Sequence, residues 1–213
     1  MRRIVRPRGR PMNATAPAPC GFPVRPSAPS TTWRRRNRAI VQEADQLDTG
    51  RGEVFVQTIK EASTEFLASK RIAVTGVSRT PKAHAGNAVY QRLRQRGYEV
   101  FAVNPNAKEV EGDPSYPSLS AIPGGVEAVV IATRPEVSEE TMRECAELGI
   151  QRVWMHRGPG AGSVSTDATR YGREHGITVI DGGCPCMFDP TADAGHKLMR
   201  FALTLTGSVP RRI

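Results

Sequence analysis

The residues with the clearest chemical meaning are small and basic ones that follow an apolar run in the first half of the chain. Gly76 ends that run, Ser78 adds a hydroxyl group, and Arg79 and Lys82 add two positive charges. A predicted helix begins at Ala85, so the backbone N–H groups of the turn and of the helix N-terminus point toward one place. Such a turn is typical of a phosphate or pyrophosphate site, and the alternative is a polar loop with solvated charges.

A nicotinamide dinucleotide fits this turn poorly. Its fingerprint is G-x-G-x-x-G, followed about 20 residues later by an acidic residue that binds the ribose hydroxyls. Here Ser78 and Pro81 occupy the second and third glycine positions, and Asn104 and Pro105 stand where the acid belongs. Lys108 follows, and a cation there suits a phosphorylated ribose better than a free one. Because of this poor fit, a function as an NAD(P)-binding oxidoreductase, or as a redox or nucleotide sensor, is kept only as an alternative.

Two histidines and two cysteines are further candidates for chemistry. His156 follows a predicted strand, where it can act as a general base, accept a phosphoryl group or only line a cleft. His84 lies in the phosphate loop and can hydrogen-bond a phosphate. Cys184 and Cys186 form C-P-C, where a cysteine can exchange disulfides with a thiol ligand or pack as a small buried residue. C-x-C lacks the second ligand pair of a zinc site, so no metal site is predicted. No catalytic residue is predicted either.

The elements that must position these residues alternate between strands and helices. Such alternation implies right-handed crossovers and a parallel sheet covered by helices on both faces. The sequence therefore predicts a three-layer α/β fold with about five parallel strands in doubly wound order, with ligands bound outside the carboxyl ends of the strands. Residues 106–117 are predicted to form a long loop. Apolar runs predict strands at 71–76, 98–103, 126–132, 152–155 and 177–180, and amphipathic spacing predicts helices at 85–96, 138–148, 163–175 and 191–206, after a short amphipathic segment at 56–67.

The charge is divided unevenly along the 213 residues. The net charge is +9, but residues 1–42 hold ten Arg and no acidic residue, whereas residues 43–213 hold 20 basic and 21 acidic residues, a net charge of −1. A basic patch marks a nucleic-acid binder, so no nucleic-acid partner is expected for the folded part. The best apolar run, residues 126–133, is far shorter than the roughly 18 residues of a membrane span, so no membrane partner is expected. The scattered cysteines form no disulfide framework, which favours a cytoplasmic location.

Residues 1–50 are predicted to be a disordered Arg/Pro-rich extension, and residues 51–213 to be the folded domain. Seven of the 17 prolines precede residue 38, and this segment has no apolar periodicity. Three interpretations stay open: an organelle transit peptide, an arm that binds polyanions, or an unselected extension with Met12 as an alternative start. The prolines argue against the amphipathic helix of a mitochondrial signal.

Four segments together resemble a known family. They are IAVTGVSR at 72–79, GYEVFAVNPN at 97–106, YPSL at 116–119 and IATRPE at 131–136. With them the chain resembles the small stand-alone CoA-binding proteins of bacteria. These are similar to the CoA-binding domain of succinyl-CoA synthetase and of acyl-CoA synthetases of the nucleotide-diphosphate-forming type.

The resemblance implies a Rossmann-like domain that binds coenzyme A or an acyl-CoA. The pyrophosphate and 3′-phosphate of CoA need a helix N-terminus and separated cations, which agrees with the composition of the turn. The synthetases add a domain with a phosphorylated histidine and a nucleotide-grasp domain, for which this chain has no room, so we expect binding without autonomous catalysis. Carried over by position, the cofactor-binding residues are Gly76, Val77, Ser78, Arg79 and Lys82 at the phosphates, Val103, Asn104, Pro105 and Lys108 along the nucleotide, Tyr116 and Pro117 in the same cleft, and Thr133, Arg134 and Pro135 at the adenine end.

The last predicted helix leaves one choice open. Its apolar face either packs on the sheet or forms the surface of a possible homodimer. A third class of function also remains, an interaction protein whose Arg-rich extension contacts the partner while the cleft is vestigial. The apolar face is formed by Leu198, Met199, Ala202, Leu203 and Leu205.

Overall fold

The computed structural model describes residues 57–80, 84–158 and 162–213. The predictions for residues 1–50 and for Lys82 lie outside the described residues. The described part contains five α-helices, seven strands and one short 3₁₀ helix. In chain order they are α1 (Ile59–Leu67), β1 (Arg71–Thr75), α2 (Ala85–Gln95), β2 (Glu99–Val103), β3 (Glu109–Val110), β4 (Asp113–Tyr116), β5 (Ala128–Ile131), α3 (Pro135–Glu147), β6 (Arg152–Met155), α4 (Thr166–Glu174), β7 (Thr178–Asp181), the 3₁₀ helix (Pro185–Met187) and α5 (Ala194–Leu205).

The strands form one sheet in the order β3-β4-β2-β1-β5-β6-β7. All neighbouring strands are parallel except β3 and β4, which are antiparallel. From β1 the chain moves outward to β2 on one side and later returns to place β5 on the other side of β1. The order therefore switches at β1, and the predicted Rossmann-like doubly wound α/β fold is confirmed with seven strands instead of about five.

Two apolar cores, one on each face of the sheet, hold the layers together. On one face α1, α2 and the 3₁₀ helix pack on the strands, and the Trp154 ring lies 5.3 Å from the rings of both Phe66 and Phe188. The Trp154 indole N–H donates to the Gly182 carbonyl oxygen at 2.9 Å, so the largest core side chain has no unpaired polar group. On the other face α3 and α4 lie side by side, and Met142 of α3 and Ala168 of α4 are fully buried.

The prediction of a long loop at residues 106–117 is wrong in its second half. This segment forms a two-residue hairpin in which Glu109 pairs with Pro114 and Val110 pairs with Asp113. Glu111 and Gly112 at its tip have positive φ values of 53° and 82°, the conformation that a tight hairpin turn requires. The second strand of the hairpin also pairs with β2, so the hairpin extends the sheet at its edge.

The last helix does not pack its apolar face on the sheet, so that alternative is wrong. Leu198, Phe201 and Leu205 are 71%, 65% and 67% exposed, and only Leu203 packs against the core. The reason is that α1, α2 and the 3₁₀ helix already cover this face of the sheet. Helix α5 contacts the 3₁₀ helix, and the Asp193 side chain caps its N-terminus by accepting from the His196 N–H at 2.9 Å.

The two ends of the described domain meet. Thr58 and Arg212 form an antiparallel β-bridge, and the Ile213 N–H donates to the Gln57 carbonyl oxygen at 2.9 Å. The Ile59 N–H likewise donates to the Arg211 carbonyl oxygen at 3.1 Å. The first and last described segments are therefore tied to each other as well as to the core.

Among the described helices, none has the length and apolar character needed to cross a lipid bilayer.

Candidate functional site

A crevice of about 1230 Å³ opens at the carboxyl ends of β1, β2 and β5. Thr75 and Gly76 come from the end of β1, Val103 and Asn104 from the end of β2, and Thr133 follows β5. The strand order switches at this point, so the loops diverge to either side of the sheet and leave a space between them. This is where open α/β sheets bind their ligands.

Two glycines allow the turn after β1 to lie close to its neighbours. Gly76 has φ +74°, and a Cβ atom there would lie 2.5 Å from the Ala132 carbonyl oxygen. A Cβ atom on Gly86, in the first turn of α2, would lie 2.8 Å from the Gly76 carbonyl oxygen. Any larger residue would push the turn and the helix apart, so the glycines keep the N-terminus of α2 at the edge of the crevice.

Two buried or half-buried amide side chains fix the shape of this turn. The Asn87 Oδ1 atom accepts from the Ser78 N–H at 2.9 Å, and its Nδ2 atom donates to the Ser78 carbonyl oxygen at 2.9 Å. Nδ2 also donates to Glu111 Oε1 at 2.6 Å, which ties the turn to the edge hairpin. Asn104 Nδ2 donates to the Val77 carbonyl oxygen at 2.8 Å. The turn is thus held from α2 on one side and from the end of β2 on the other.

Sequence reasoning missed Asn87. The signal was present, because Asn87 is a polar residue on the buried face of α2, next to Gly86 and ahead of Val89 and Tyr90. A fully buried amide must find hydrogen-bond partners, and the nearest backbone polar groups belong to the preceding turn. Its spacing from Ser78 alone did not reveal the contact.

The electric field at the crevice differs between its two ends. Helix α2 has no acidic residue in its first turn and carries Arg92 and Arg94 in its last turn, so no carboxylate of the helix offsets the positive end of its dipole. Arg134 lines the crevice at the start of α3. Further along α3 the lining includes three carboxylates, those of Glu140, Glu144 and Glu147, and one cation, Arg143, so this stretch has a net negative charge. An anionic group is therefore favoured at the α2 end, and hydrogen-bond donors are favoured along α3.

Two hydroxyl groups at the floor of the crevice have no hydrogen-bond partner among the described residues. They belong to Thr75, which is 4% exposed, and to Thr133. Buried polar groups in proteins are nearly always paired, and an unpaired one costs about 1–3 kcal/mol. Thr75 and Thr133 both line the crevice, so their side chains lie beside any polar ligand bound there.

His156 lines the crevice from the end of β6 and is 8% exposed. Burial lowers the pKa of its imidazole to about 4. The ring is therefore uncharged at neutral pH and can exchange a hydrogen bond with a ligand, but it does not add a positive charge to the site. His84, the N-cap residue of α2, also lines the crevice and is exposed.

The structure brings together nine of the fourteen residues predicted to bind a cofactor. Arg79 and Lys108 are exposed and do not line the crevice, although they follow β1 and β2. The Tyr116 ring packs against the Phe101 ring at 5.9 Å, and Pro135 begins α3. The nine lining residues are Gly76, Val77, Ser78, Val103, Asn104, Pro105, Pro117, Thr133 and Arg134.

Cys184 and Cys186 lie outside this crevice and line a second, smaller cavity. Within residues 57–80, 84–158 and 162–213, no group of three or more His, Cys, Asp or Glu side chains is placed to hold a metal ion.

The fold and the crevice at its switch point are those of a Rossmann-like α/β protein. Comparison with known proteins narrows this class. The chain belongs to the family described as the CoA binding domain, whose family model matches residues 70–190.

Curated relatives include much longer proteins. The chain is 30% identical over 150 residues to acetate–CoA ligase (ADP-forming) II of Archaeoglobus fulgidus, an alignment that covers 67% of this chain and 22% of the ligase. It is 32% identical over 112 residues to the uncharacterised protein YneT of Bacillus subtilis, covering 53% of this chain and 79% of that protein. The chain thus spans under a quarter of the ligase but most of the Bacillus protein.

A solved structure of similar fold is that of a hypothetical protein from Pyrococcus horikoshii. It has a TM-score of 0.54 and 27% sequence identity, and the match covers 65% of this chain and 93% of that one.

Proposed function

We propose that the protein binds coenzyme A or an acyl-CoA in the crevice between β1, β2 and β5, and that it catalyses no reaction on its own. One observation carries the proposal. The turn after β1 and the N-terminus of α2 face a crevice whose floor holds the hydroxyls of Thr75 and Thr133, which are unpartnered within the described part of the chain. Membership of the CoA binding domain family indicates which polar ligand would fill it.

The phosphates of CoA would lie at the α2 end. There the turn is pinned by Asn87 and Asn104, so its shape and the position of the N–H groups at the start of α2 are fixed before a ligand arrives. Preorganised donors reduce the entropy cost of binding. Arg79, exposed beside the turn, and Lys82, which lies outside the described residues, would add charge to the outer phosphates.

The adenosine part would extend along the ends of β2 and β5. Asn104 and Pro105 on one side and Thr133 and Arg134 on the other line this part of the crevice. The carboxylates of α3 beyond them favour hydrogen-bond donors such as ribose hydroxyls and an exocyclic amine, and they disfavour phosphate. Lys108 would meet the 3′-phosphate at the rim.

The absence of autonomous catalysis is part of the proposal. The alignments cover 22% of the acetate–CoA ligase of Archaeoglobus fulgidus and 27% of the α subunit of the Pyrococcus furiosus enzyme, so we do not carry the activity of those enzymes over to this chain. His156, the buried histidine of the crevice, has its pKa held far below neutrality by burial alone. We propose a cytoplasmic location for the protein, with CoA as its partner.

Calorimetric and thermal-shift titrations of the full chain test this function. The ligands are CoA, acetyl-CoA, dephospho-CoA, NAD and NADP. A ligand at 100 times its Kd adds about 2.7 kcal/mol to the free energy of unfolding. CoA is expected to stabilise the protein and NAD is not, and a weaker effect of dephospho-CoA would show that the 3′-phosphate is recognised. Stabilisation by NAD or NADP alone would replace the proposal with the oxidoreductase or sensor alternative.

Charge reversal then tests where the phosphates lie. Arg79→Glu is expected to weaken CoA binding by about 1–2 kcal/mol, the scale of one charge-assisted hydrogen bond. Arg170→Glu is the matched control, because Arg170 lies on α4 outside the crevice and this substitution causes the same change in net charge. Equal CoA affinity in Arg79→Glu and wild type would move the phosphates away from this turn.

A further inference from the structure

A second cavity adjoins the crevice. It has a volume of about 590 Å³ and lies between α2, the loop after β7 and α5. Ala85, His156 and Gly162 line both spaces. The first residue of α2, the imidazole at the end of β6 and a glycine near it thus form the boundary between the two. A ligand anchored in the crevice at the N-terminus of α2 can extend past this boundary.

The second cavity contains a pair of thiols. Cys184 and Cys186 both line it, and they are 6% and 3% exposed. The backbone that carries them is rigid, because the buried Thr191 hydroxyl donates to the Pro185 and Phe188 carbonyl oxygens at 2.6 and 2.8 Å. The two sulfur atoms are therefore held at one wall of the cavity.

The two cysteines have different surroundings. The neighbouring Cys184 thiol and the positive charge of Arg92 lower the pKa of Cys186, whereas burial and the carboxylate of Asp193, which is ion-paired with Arg92, act in the opposite direction. The neighbouring Cys186 thiol and burial raise the pKa of Cys184. Cys186 is thus the better nucleophile of the pair, because the thiolate is the attacking form.

The remaining wall of the cavity is mostly apolar, and the described residues that line it include no carboxylate. Its apolar part is formed by Ala88, Val89, Met187 and Met199. Its polar part comprises the amides of Asn87, Gln91 and Gln95, the imidazoles of His156 and His196, and the Arg92 guanidinium, whose charge is paired with Asp193. This lining suits an uncharged, amide-containing chain better than a nucleotide. The crevice and the cavity together therefore match a molecule with an anionic nucleotide at one end and a flexible arm ending in sulfur at the other.

We propose that the second cavity is a thiol–disulfide exchange site, in which Cys186 forms a mixed disulfide with the pantetheine thiol of CoA. This inference rests on the proposed function, because the nucleotide in the crevice delivers the arm. The oxidant is a disulfide of CoA. The Cys186 thiolate attacks one sulfur atom of that disulfide, the S–S bond breaks, and a Cys186–S–S–CoA bond forms. The second CoA leaves as a thiolate and takes up the proton that Cys186 released, so no other oxidant is needed.

The experiment uses the full chain with Cys20→Ser, because Cys20 lies outside the described residues and an adduct there would be counted together with one at Cys186. The protein is incubated with CoA disulfide or with pantethine, the disulfide that has the same arm without the nucleotide. Intact mass and peptide mapping report the adduct and its site, and a thiol assay counts the released CoA. We expect one adduct at Cys186 with one CoA released, formed at least tenfold faster from CoA disulfide than from pantethine.

Matched variants separate the thiols. Cys186→Ser is expected to abolish the adduct, Cys184→Ser to slow its formation, and Cys145→Ser, at a buried cysteine in the other core, to change nothing. Peptide mapping of the Cys20→Ser protein identifies the site even where a variant fails to fold.

Calorimetry with CoA on the same protein distinguishes the two proposals. CoA binding without an adduct, an adduct at Cys184 alone, or equal rates with the two disulfides would overturn the exchange site and leave the proposed function intact. Absence of CoA binding would overturn the proposed function, and the exchange site with it.

Discussion

Replacing Asn87 with Ala tests whether the turn after β1 owes its shape to one amide. The side chain is fully buried and makes three hydrogen bonds of 2.6 to 2.9 Å, two to the backbone of Ser78 and one to Glu111. At about 0.5–1.5 kcal/mol for each bond, Asn87→Ala should lower the free energy of unfolding by about 2–4 kcal/mol. For a domain of this size that corresponds to a fall in Tm of roughly 5–15 °C.

The same change should weaken ligand binding. Without the amide the Ser78 backbone is free to turn its N–H and carbonyl groups toward water, so the ligand must order the turn as it binds. We expect CoA affinity to fall about tenfold, which corresponds to about 1.4 kcal/mol.

Urea denaturation followed by circular dichroism measures the stability, and calorimetry measures the affinity. Thr64→Ala is the control, because Thr64 is exposed on α1, lines neither cavity, and its loss should change stability by less than about 0.5 kcal/mol. An Asn87→Ala protein with the urea midpoint and CoA affinity of the control would refute the conclusion that this amide shapes the turn.

Four further changes have outcomes that follow from burial and charge. His156 has a folded pKa of about 4 against 6.5 for the free side chain, so the unfolded chain binds its proton first as the pH falls. The free energy of unfolding should therefore drop by about 3 kcal/mol between pH 6.5 and 4. His156→Gln should remove this part of the pH dependence in urea titrations, so the same pH dependence in the variant and in wild type would contradict the prediction. Gly86→Ala should lower both Tm and CoA affinity, because the new methyl group would lie 2.8 Å from a carbonyl oxygen of the turn, and an unchanged Tm would mean that the helix can shift freely. Phe66→Ala, at a side chain 1% exposed, should cost about 3–5 kcal/mol in urea denaturation, whereas Phe201→Ser, at one 65% exposed, should cost under about 0.5 kcal/mol. Removal of residues 1–50 should leave the urea midpoint and the CoA affinity unchanged; loss of either would place part of the folded domain before residue 51.

Strands β1, β5 and β6 could be predicted from the sequence because they are buried along almost their whole length. Segments such as residues 128–131 are apolar at every position, a pattern that needs no knowledge of their neighbours. The edge hairpin could not be predicted in this way. Its first strand is only two residues long, and its second strand contains Pro114. The two strands form because they are hydrogen-bonded to each other and because the second is also paired with β2.

The location of the candidate site could be predicted from the sequence, but the side chains that fix its backbone could not. Gly76 and Ser78 could be placed at the edge of the crevice, because a strand end and a helix start bracket them in the sequence. Asn87 could be recognised only as a polar residue on the buried face of α2, because its partners depend on which backbone groups the fold brings to within hydrogen-bonding distance. The cavity that holds Cys184 and Cys186 also depends on the packing of α5, whose position the amphipathic pattern alone did not determine.

The meeting of the two domain ends has a consequence for how this domain can be joined to other chains. Because Gln57 and Ile213 are hydrogen-bonded neighbours, a linker of a few residues can connect them, and new ends can be opened at an exposed loop such as that at Gly97. Such a circular permutant keeps every strand of the sheet. By the same geometry the whole domain can be inserted into a surface loop of a host protein, where it enters and leaves at a single point and disturbs the host backbone little.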